Sequence, residues 1–412
     1  MTDIISKLPE MKSGEELITA LAVMPKYDES IRKQNQAVRL VALSDLYQIY
    51  VPSQMSLEIY SKLYLALLRS LQKKCTQIAV RQRYENYKVI HQIPYSGILG
   101  GSDSFTIIGT SGIGKSTAIS RAVSLITKNR VIEIEELGTK VIPCLNVQCP
   151  FDSSVRGLLL EILRKIDETL DSKYYEYALK ARATTDMLIG SVSQVALNHI
   201  GMLIVDEIQN VVNSKNGKSL IGALTQLINN SGISICMVGT PESTVFFESA
   251  MQLARRSVGL QYTAVAYNEY FQNFCKIIFK YQFLYNYTEI SPALTEWLYE
   301  HSAGVISIVV SLIHDAQEIA ILTGRETLDI GTLNEAYQQR LSLLHDYIQP
   351  STNQKKITVR SKKTVAKLVD RTDSSLELLS NSISNIAKKA KAENQNVVEL
   401  LKEICSVTEV EV

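Results

Sequence analysis

The word Gly109-Thr-Ser-Gly-Ile-Gly-Lys115-Ser116 constrains this chain more than any other stretch. It follows the apolar run Phe105-Thr-Ile-Ile108 and precedes the helical pattern TAISRAVSLI. A strand, a glycine-rich turn and a helix in that order form a phosphate-binding loop. Glycines let the backbone wrap around phosphates and turn N–H groups inward. The helix N-terminus adds partial positive charge. Lys115 then supplies an ammonium for β- and γ-phosphates, and Ser116 a hydroxyl for Mg²⁺. The loop and its neighbours, Gly109, Thr110, Ser111, Gly112, Ile113, Gly114, Lys115, Ser116 and Thr117, are the expected nucleotide-binding residues.

The stretches around the loop say what carries it. Short apolar runs recur at 105–108, 141–147, 202–205 and 233–238, with helical segments between them. Continuous apolar strands alternating with helices indicate an α/β fold with a parallel sheet covered on both faces. Residues 267–347 lack strand runs and read as three or four helices, including 291–301, 305–322 and 330–345. Before the loop, apolar Ile59, Leu63, Leu67 and Leu71 recur at helical spacing, which predicts an amphipathic helix over 57–71.

A second signal lies about ninety residues beyond the loop, in Met202-Leu-Ile-Val-Asp206-Glu207. A magnesium nucleotide needs a carboxylate near the Ser116 hydroxyl, and Asp206 is the candidate metal residue beside Ser116. Hydrolysis needs a group that takes a proton from the attacking water, and Glu207 is the candidate. The run Ile233–Gly239 ends at Thr240, whose hydroxyl could help hold that water. Arg255 and Arg256, in QLARRSVGLQY, close a segment expected to be a helix from Ser243. An adjacent arginine pair there is either a solvated helix end or a cation reaching a neighbouring subunit's γ-phosphate.

With 46% apolar and 21% charged residues, the 412-residue chain can bury a core, which excludes wholesale disorder. At about 150 residues per domain its length suits two or three domains. Basic and acidic residues nearly balance, 43 against 42, so any nucleic-acid contact must come from local patches. The six cysteines show neither metal-site nor disulfide spacing, and no secretory pattern opens the sequence; a cytoplasmic, membrane-free location is expected. A basic stretch between Arg69 and Lys88 carries Tyr84 and Tyr87, a mixture that suits nucleic acid as well as a solvated helix face. The run after Pro350 is strongly basic, and 374–404 reads as a polar helical stretch.

GTSGIGKST, LIVDEIQN, MVGTPES and an LARR element followed by a small helical region together resemble an AAA+ ATPase. Within that class, DEIQN and VGTPES in this order are similar to the TnsC/TniB transposition regulators, with MuB more distant. The resemblance spans about 100–347 and implies an AAA+ P-loop NTPase core over 101–266 and a small all-α lid over 267–349. These are flanked by a partner-binding helical extension over 1–100 and a basic tail over 350–412. It implies the cofactors ATP and Mg²⁺, and makes Glu207, Thr240 and Arg255 or Arg256 catalytic positions, the arginine acting in trans. It also implies a homo-oligomer, ring or helical filament, on duplex DNA without sequence preference, linking target-selector proteins to a transposase.

In such proteins DNA is contacted after the second strand and before the acidic strand end. The matching stretches, 150–156 and 180–185, offer Ser153, Ser154, Arg156, Arg182 and Thr184, types that hold phosphates without reading bases. One departure stands out: the lid stretch Gly304-Val-Ile-Ser-Ile-Val has Ser307 and Ile308 where many relatives carry an arginine, which implies slow hydrolysis. Other expectations are a replication initiator or helicase loader, against which the lack of a winged-helix segment speaks, and a signalling or secretion ATPase that binds no DNA.

Overall fold

The computed structural model describes residues 7–74, 104–128, 130–134, 139–211, 217–244 and 259–341. Arg255, Arg256, most of the basic stretch between Arg69 and Lys88, and the tail from residue 350 lie outside them. The described residues all fall within one compact unit, Met1–Ile348.

A six-stranded sheet runs β2-β3-β4-β5-β1-β6: β1 Phe105–Gly109, β2 Ile132–Ile134, β3 Thr139–Gln148, β4 Ile200–Asp206, β5 Ser234–Gly239 and β6 Leu260–Tyr262. All neighbours are parallel except the β2–β3 pair. Pro143 sits in β3 just past the last residue paired with β2, Val141, so its missing N–H interrupts no bond on that side. The longer runs are legible as strands because they are predominantly apolar. The three-residue edge strands β2 and β6 carry no such run, and tertiary pairing alone makes them strands.

Helices cover both faces, so successive residues of each inner strand enter different cores. Leu203, Val205, Ile235 and Met237 join one cluster with α5 (Val155–Leu170), α7 (Thr185–His199) and α8 (Gly217–Ser231). Met202, Ile204, Cys236 and Val238 join the other with α1 (Gly14–Leu21), α3 (Gln54–Lys74) and α4 (Lys115–Thr127). Between α5 and α7 lies the short α6 (Tyr174–Lys180).

After β6 come four helices among the described residues: α9 Glu269–Ile278, α10 Pro292–Ser302, α11 Ile306–Thr323 and α12 Ile330–Arg340. Side-chain caps start three of them, from Asn268, Ser291 and Asp329. Helix α11 has the length and hydropathy to cross a membrane. Its Val309, Leu312, Ile313, Ala316 and Ala320, however, are the centre of the lid core.

The N-terminal stretch divides between two cores. Helix α3 packs on α4 and β4, whereas Leu43, Leu46 and Ile49 belong to the lid core. Arg39, on α2 (Gln36–Ala42), makes a bidentate ion pair with Glu326 at 2.6 and 2.8 Å, buried and also bonded to the Phe283 carbonyl. Arg32 donates to the carbonyls of Leu284 and Tyr285, and Tyr281 donates to that of Pro25. Residues 25–49 are thereby attached to the lid.

A phosphate loop facing two carboxylates

Strand β1 ends in the glycine loop and α4 starts at Lys115, with Gly114 as its cap in the left-handed region at φ +94°. Gly112 is also left-handed at φ +80°, and a Cβ there would lie 2.3 Å from the Ser307 hydroxyl. Only glycine meets both demands. Lys115, 8% exposed, donates to the carbonyls of Gly109 at 2.6 Å and Thr110 at 2.9 Å. Burial pushes its ammonium below the ordinary lysine value, against the opposing pull of Asp206, Glu207 and Glu242.

Strand β4 brings the carboxylates to the loop, because β1 and β4 both flank β5 and all three end on the same side. The Ser116 hydroxyl donates to Asp206 Oδ2 at 2.9 Å, and the Glu207 N–H donates to Asp206 Oδ1 at 2.8 Å. Glu207 stands in the left-handed region at φ +59°, a conformation that costs a non-glycine residue about 1–3 kcal/mol and recurs at functional sites. Its Oε2 accepts from Gln209 Nε2. Lys115, Ser116, Asp206, Glu207, Gln209 and Thr240 share a cleft of about 260 Å³. The Thr240 hydroxyl bonds the Glu242 carboxylate and holds it below its ordinary value.

Sequence reasoning missed three parts of this region. A second cavity, about 200 Å³, shares Gly112 and Gly114 with the cleft and is walled by Tyr50, Ile113, Tyr270, Phe274 and Ile306. Its N-terminal wall is held by Tyr270, which donates to the Val51 carbonyl at 2.9 Å, and by the 2.7 Å Tyr50–Ser56 hydroxyl pair. Three tyrosines within Tyr27–Tyr50 were the available signal, but composition does not say which tyrosine faces a cavity. Ser307, at the lid position where many relatives carry an arginine, touches the phosphate loop itself, donating its N–H to the Gly112 carbonyl at 3.0 Å. Gln209 is the third.

The five residues expected at DNA are brought close together but not made equal. Arg156 donates to the Ala183 carbonyl, joining the 150–156 loop to the 181–184 turn. Ser153 must be corrected: it is fully buried, and its hydroxyl donates to the Asn210 carbonyl at 3.0 Å, so it faces no phosphate. Ser154 caps α5 by accepting from Gly157 N, and Thr184 caps α7 by accepting from Met187 N. Arg182 is exposed, and beside these residues Phe151 is 91% exposed. Among the described residues no group of three His, Cys, Asp or Glu side chains could hold a metal on its own.

A parallel sheet with the loop strand between β5 and β6, a hydroxyl–carboxylate pair across the loop and a helical lid resting on it define an AAA+ P-loop NTPase. Residues 100–262 match the family described as bacterial TniB protein. No curated protein sequence matches the chain significantly. One solved structure that resembles it is the Aeropyrum pernix Orc1 protein in complex with DNA, 15% identical, covering 81% of this chain and 78% of that one, with a TM-score of 0.42.

Proposed function

We propose that the chain is a Mg²⁺-dependent ATPase whose nucleotide state governs assembly on duplex DNA during transposition. The observation that carries the ATPase reading is the Ser116–Asp206 bond at 2.9 Å. It joins residues from the phosphate loop and β4 into a pair of hard oxygen donors of the kind Mg²⁺ takes. The residues suit a nucleotide triphosphate: Lys115 lies where phosphate oxygens can replace the Gly109 and Thr110 carbonyls as its partners. The adjoining cavity, walled by aromatic and aliphatic side chains, suits a planar base.

Bound Mg²⁺ would neutralise charge on the phosphates. Glu207 takes a proton from the attacking water, Thr240 helps orient that water, and Lys115 steadies the charge gathering on the leaving phosphate. Ser307 in place of an arginine leaves the lid without a cation there, in keeping with slow turnover. Arg255 or Arg256 completes a neighbour's site in a ring or helical filament, and hydrolysis drives disassembly.

The transposition reading rests on the TniB match. Duplex DNA would meet Arg182, Arg156 and the hydroxyls of Ser154 and Thr184. Each capping hydroxyl accepts through oxygen and keeps its hydrogen for a phosphate. The oligomer would then bridge a target-selector protein and a transposase in the cytoplasm. Sedimentation of the full chain with and without duplex DNA, ATP or a non-hydrolysable analogue tests this. DNA binding only with nucleotide, weakening steeply with salt, is expected. Failure to bind duplex under every nucleotide condition would favour a signalling or secretion ATPase without DNA.

A further inference from the structure

The turn after β4 carries a residue that the ATPase reading leaves unused. We propose that Gln209 is a positioning residue for hydrolysis, holding the Glu207 carboxylate at the angle from which it takes the water's proton. This rests on the reading of Glu207 as the base.

Glu207 is exposed, and a free glutamate there would sample many rotamers. Gln209 Nε2 donates to Oε2, which leaves Oε1 of the same carboxylate unclaimed by Gln209. A carboxylate held by one oxygen presents the other in a fixed direction, and that is what a proton acceptor needs.

Gln209 itself stands on a rigid base. Ile208 is fully buried in the core beneath it. Asn210, on its other side, donates through Nδ2 to the Cys149 carbonyl at 3.1 Å and accepts from the Ser153 hydroxyl at 3.0 Å. Cys149 N–H in turn bonds the Asp206 carbonyl at 2.8 Å. The turn is thus tied on both sides to the loop after β3, and the side chain between the ties inherits their precision.

The other end of the Gln209 amide supplies an independent observation. Oε1 is buried without a hydrogen-bond partner among the described residues, and a Cβ on Gly239 would lie 3.2 Å from it. A buried acceptor without a partner costs free energy and calls for an explanation. Here the acceptor is left over because the donor end is committed to Glu207, beside the strand end that leads into Thr240.

The test compares the full-length wild type with Gln209→Met, which keeps shape without donor or acceptor, and Gln209→Glu, which keeps shape and replaces the donor with a charge. Steady-state hydrolysis is measured together with equilibrium affinity for a non-hydrolysable ATP analogue and for ADP with magnesium and aluminium fluoride, a mimic of the transition state. Both variants are expected to lose about ten- to a hundredfold in kcat and a similar factor in affinity for the mimic. KM and analogue affinity should stay within about twofold, because the contact matters only when water is attacked. If both variants keep wild-type kcat and mimic affinity, the inference fails while the ATPase reading stands. If Glu207→Gln also hydrolyses at the wild-type rate, the assignment of Glu207 fails and this inference with it. A loss in analogue affinity as large as the loss in kcat would mean that Gln209 only shapes the cleft, and would overturn the positioning role.

Discussion

The backbone N–H of Ser307 donates to the carbonyl of Gly112 at 3.0 Å, so the first turn of lid helix α11 rests on the phosphate loop. The contact is close because Gly112 has no side chain: a Cβ would lie 2.8 Å from Val305 Cγ1 as well as 2.3 Å from Ser307 Oγ. Loop and lid are therefore shaped against each other.

Gly112→Ala should push the lid start off the loop and force a left-handed φ of +80° onto a residue that resists it. ATP affinity, measured by equilibrium dialysis, should fall about tenfold or more, equivalent to at least ~1.4 kcal/mol. Affinity unchanged from the wild type would mean that the lid start is free to move aside.

Lys115→Ala should abolish ATP binding, since the loop loses the ammonium now resting on its own Gly109 and Thr110 carbonyls. Titration with a fluorescent ATP analogue measures this directly. Wild-type affinity would remove the phosphate-loop assignment.

Glu207→Gln should bind ATP normally yet turn over about a hundredfold or more slowly, because an amide accepts no proton. If the ATP form is the DNA-bound form, this variant should also stay on duplex DNA longer. Phosphate release and filter retention read the two effects separately.

Arg39→Met should destabilise the lid by about 3–5 kcal/mol in urea unfolding, because Glu326 is left buried without its partner. The pair also sets an acid limit. Burial pushes the Glu326 carboxyl up, but hydrogen bonds from Arg39 and the Tyr285 N–H outweigh it, so it lies below its ordinary value of 4.5. A depressed carboxylate contributes stability in full above its unfolded value and loses it as pH falls through the folded one. Wild-type stability should therefore drop as pH is lowered below about 4.5. A variant with both residues made apolar should lose that part of the dependence.

Replacing Arg255 and Arg256 together by Ala should leave ATP binding intact and remove hydrolysis stimulated by assembly. Mixing with Lys115→Ala subunits should restore part of it, the dead-loop subunit lending its arginines to a neighbour with a working loop. Concentration-dependent hydrolysis equal to that of the wild type would put the trans-acting cation elsewhere.

The sequence displayed those parts of the site whose chemistry demands local order. Lys115 and Ser116 follow a glycine spacing set by phosphate geometry, and Asp206 and Glu207 end an unbroken apolar strand. Long-range placement left no such mark. Tyr50 and Tyr270 wall one cavity although about two hundred residues separate them, and nothing local distinguishes them from other tyrosines. Ser153 misled for a physical reason: a serine beside a helix start looks free, yet its φ of +51° turns it inward to the Asn210 carbonyl. The edge strands β2 and β6 are held by pairing rather than by their own composition.

The division of residues 8–71 between two cores has a practical consequence for anyone who trims this chain. Leu8, Leu17, Leu21, Ile59, Leu63 and Leu67 seal one face of the sheet, while Leu43, Leu46 and Ile49 fill the lid. A fragment cut to the family-matched span, 100–262, would bare Phe105, Ile107, Met202 and Ile204 to water and carry none of the four lid helices. The family-matched span is shorter than the stretch whose side chains build these two cores. An expression product meant to hold nucleotide must reach back to the first helix and forward past the last one.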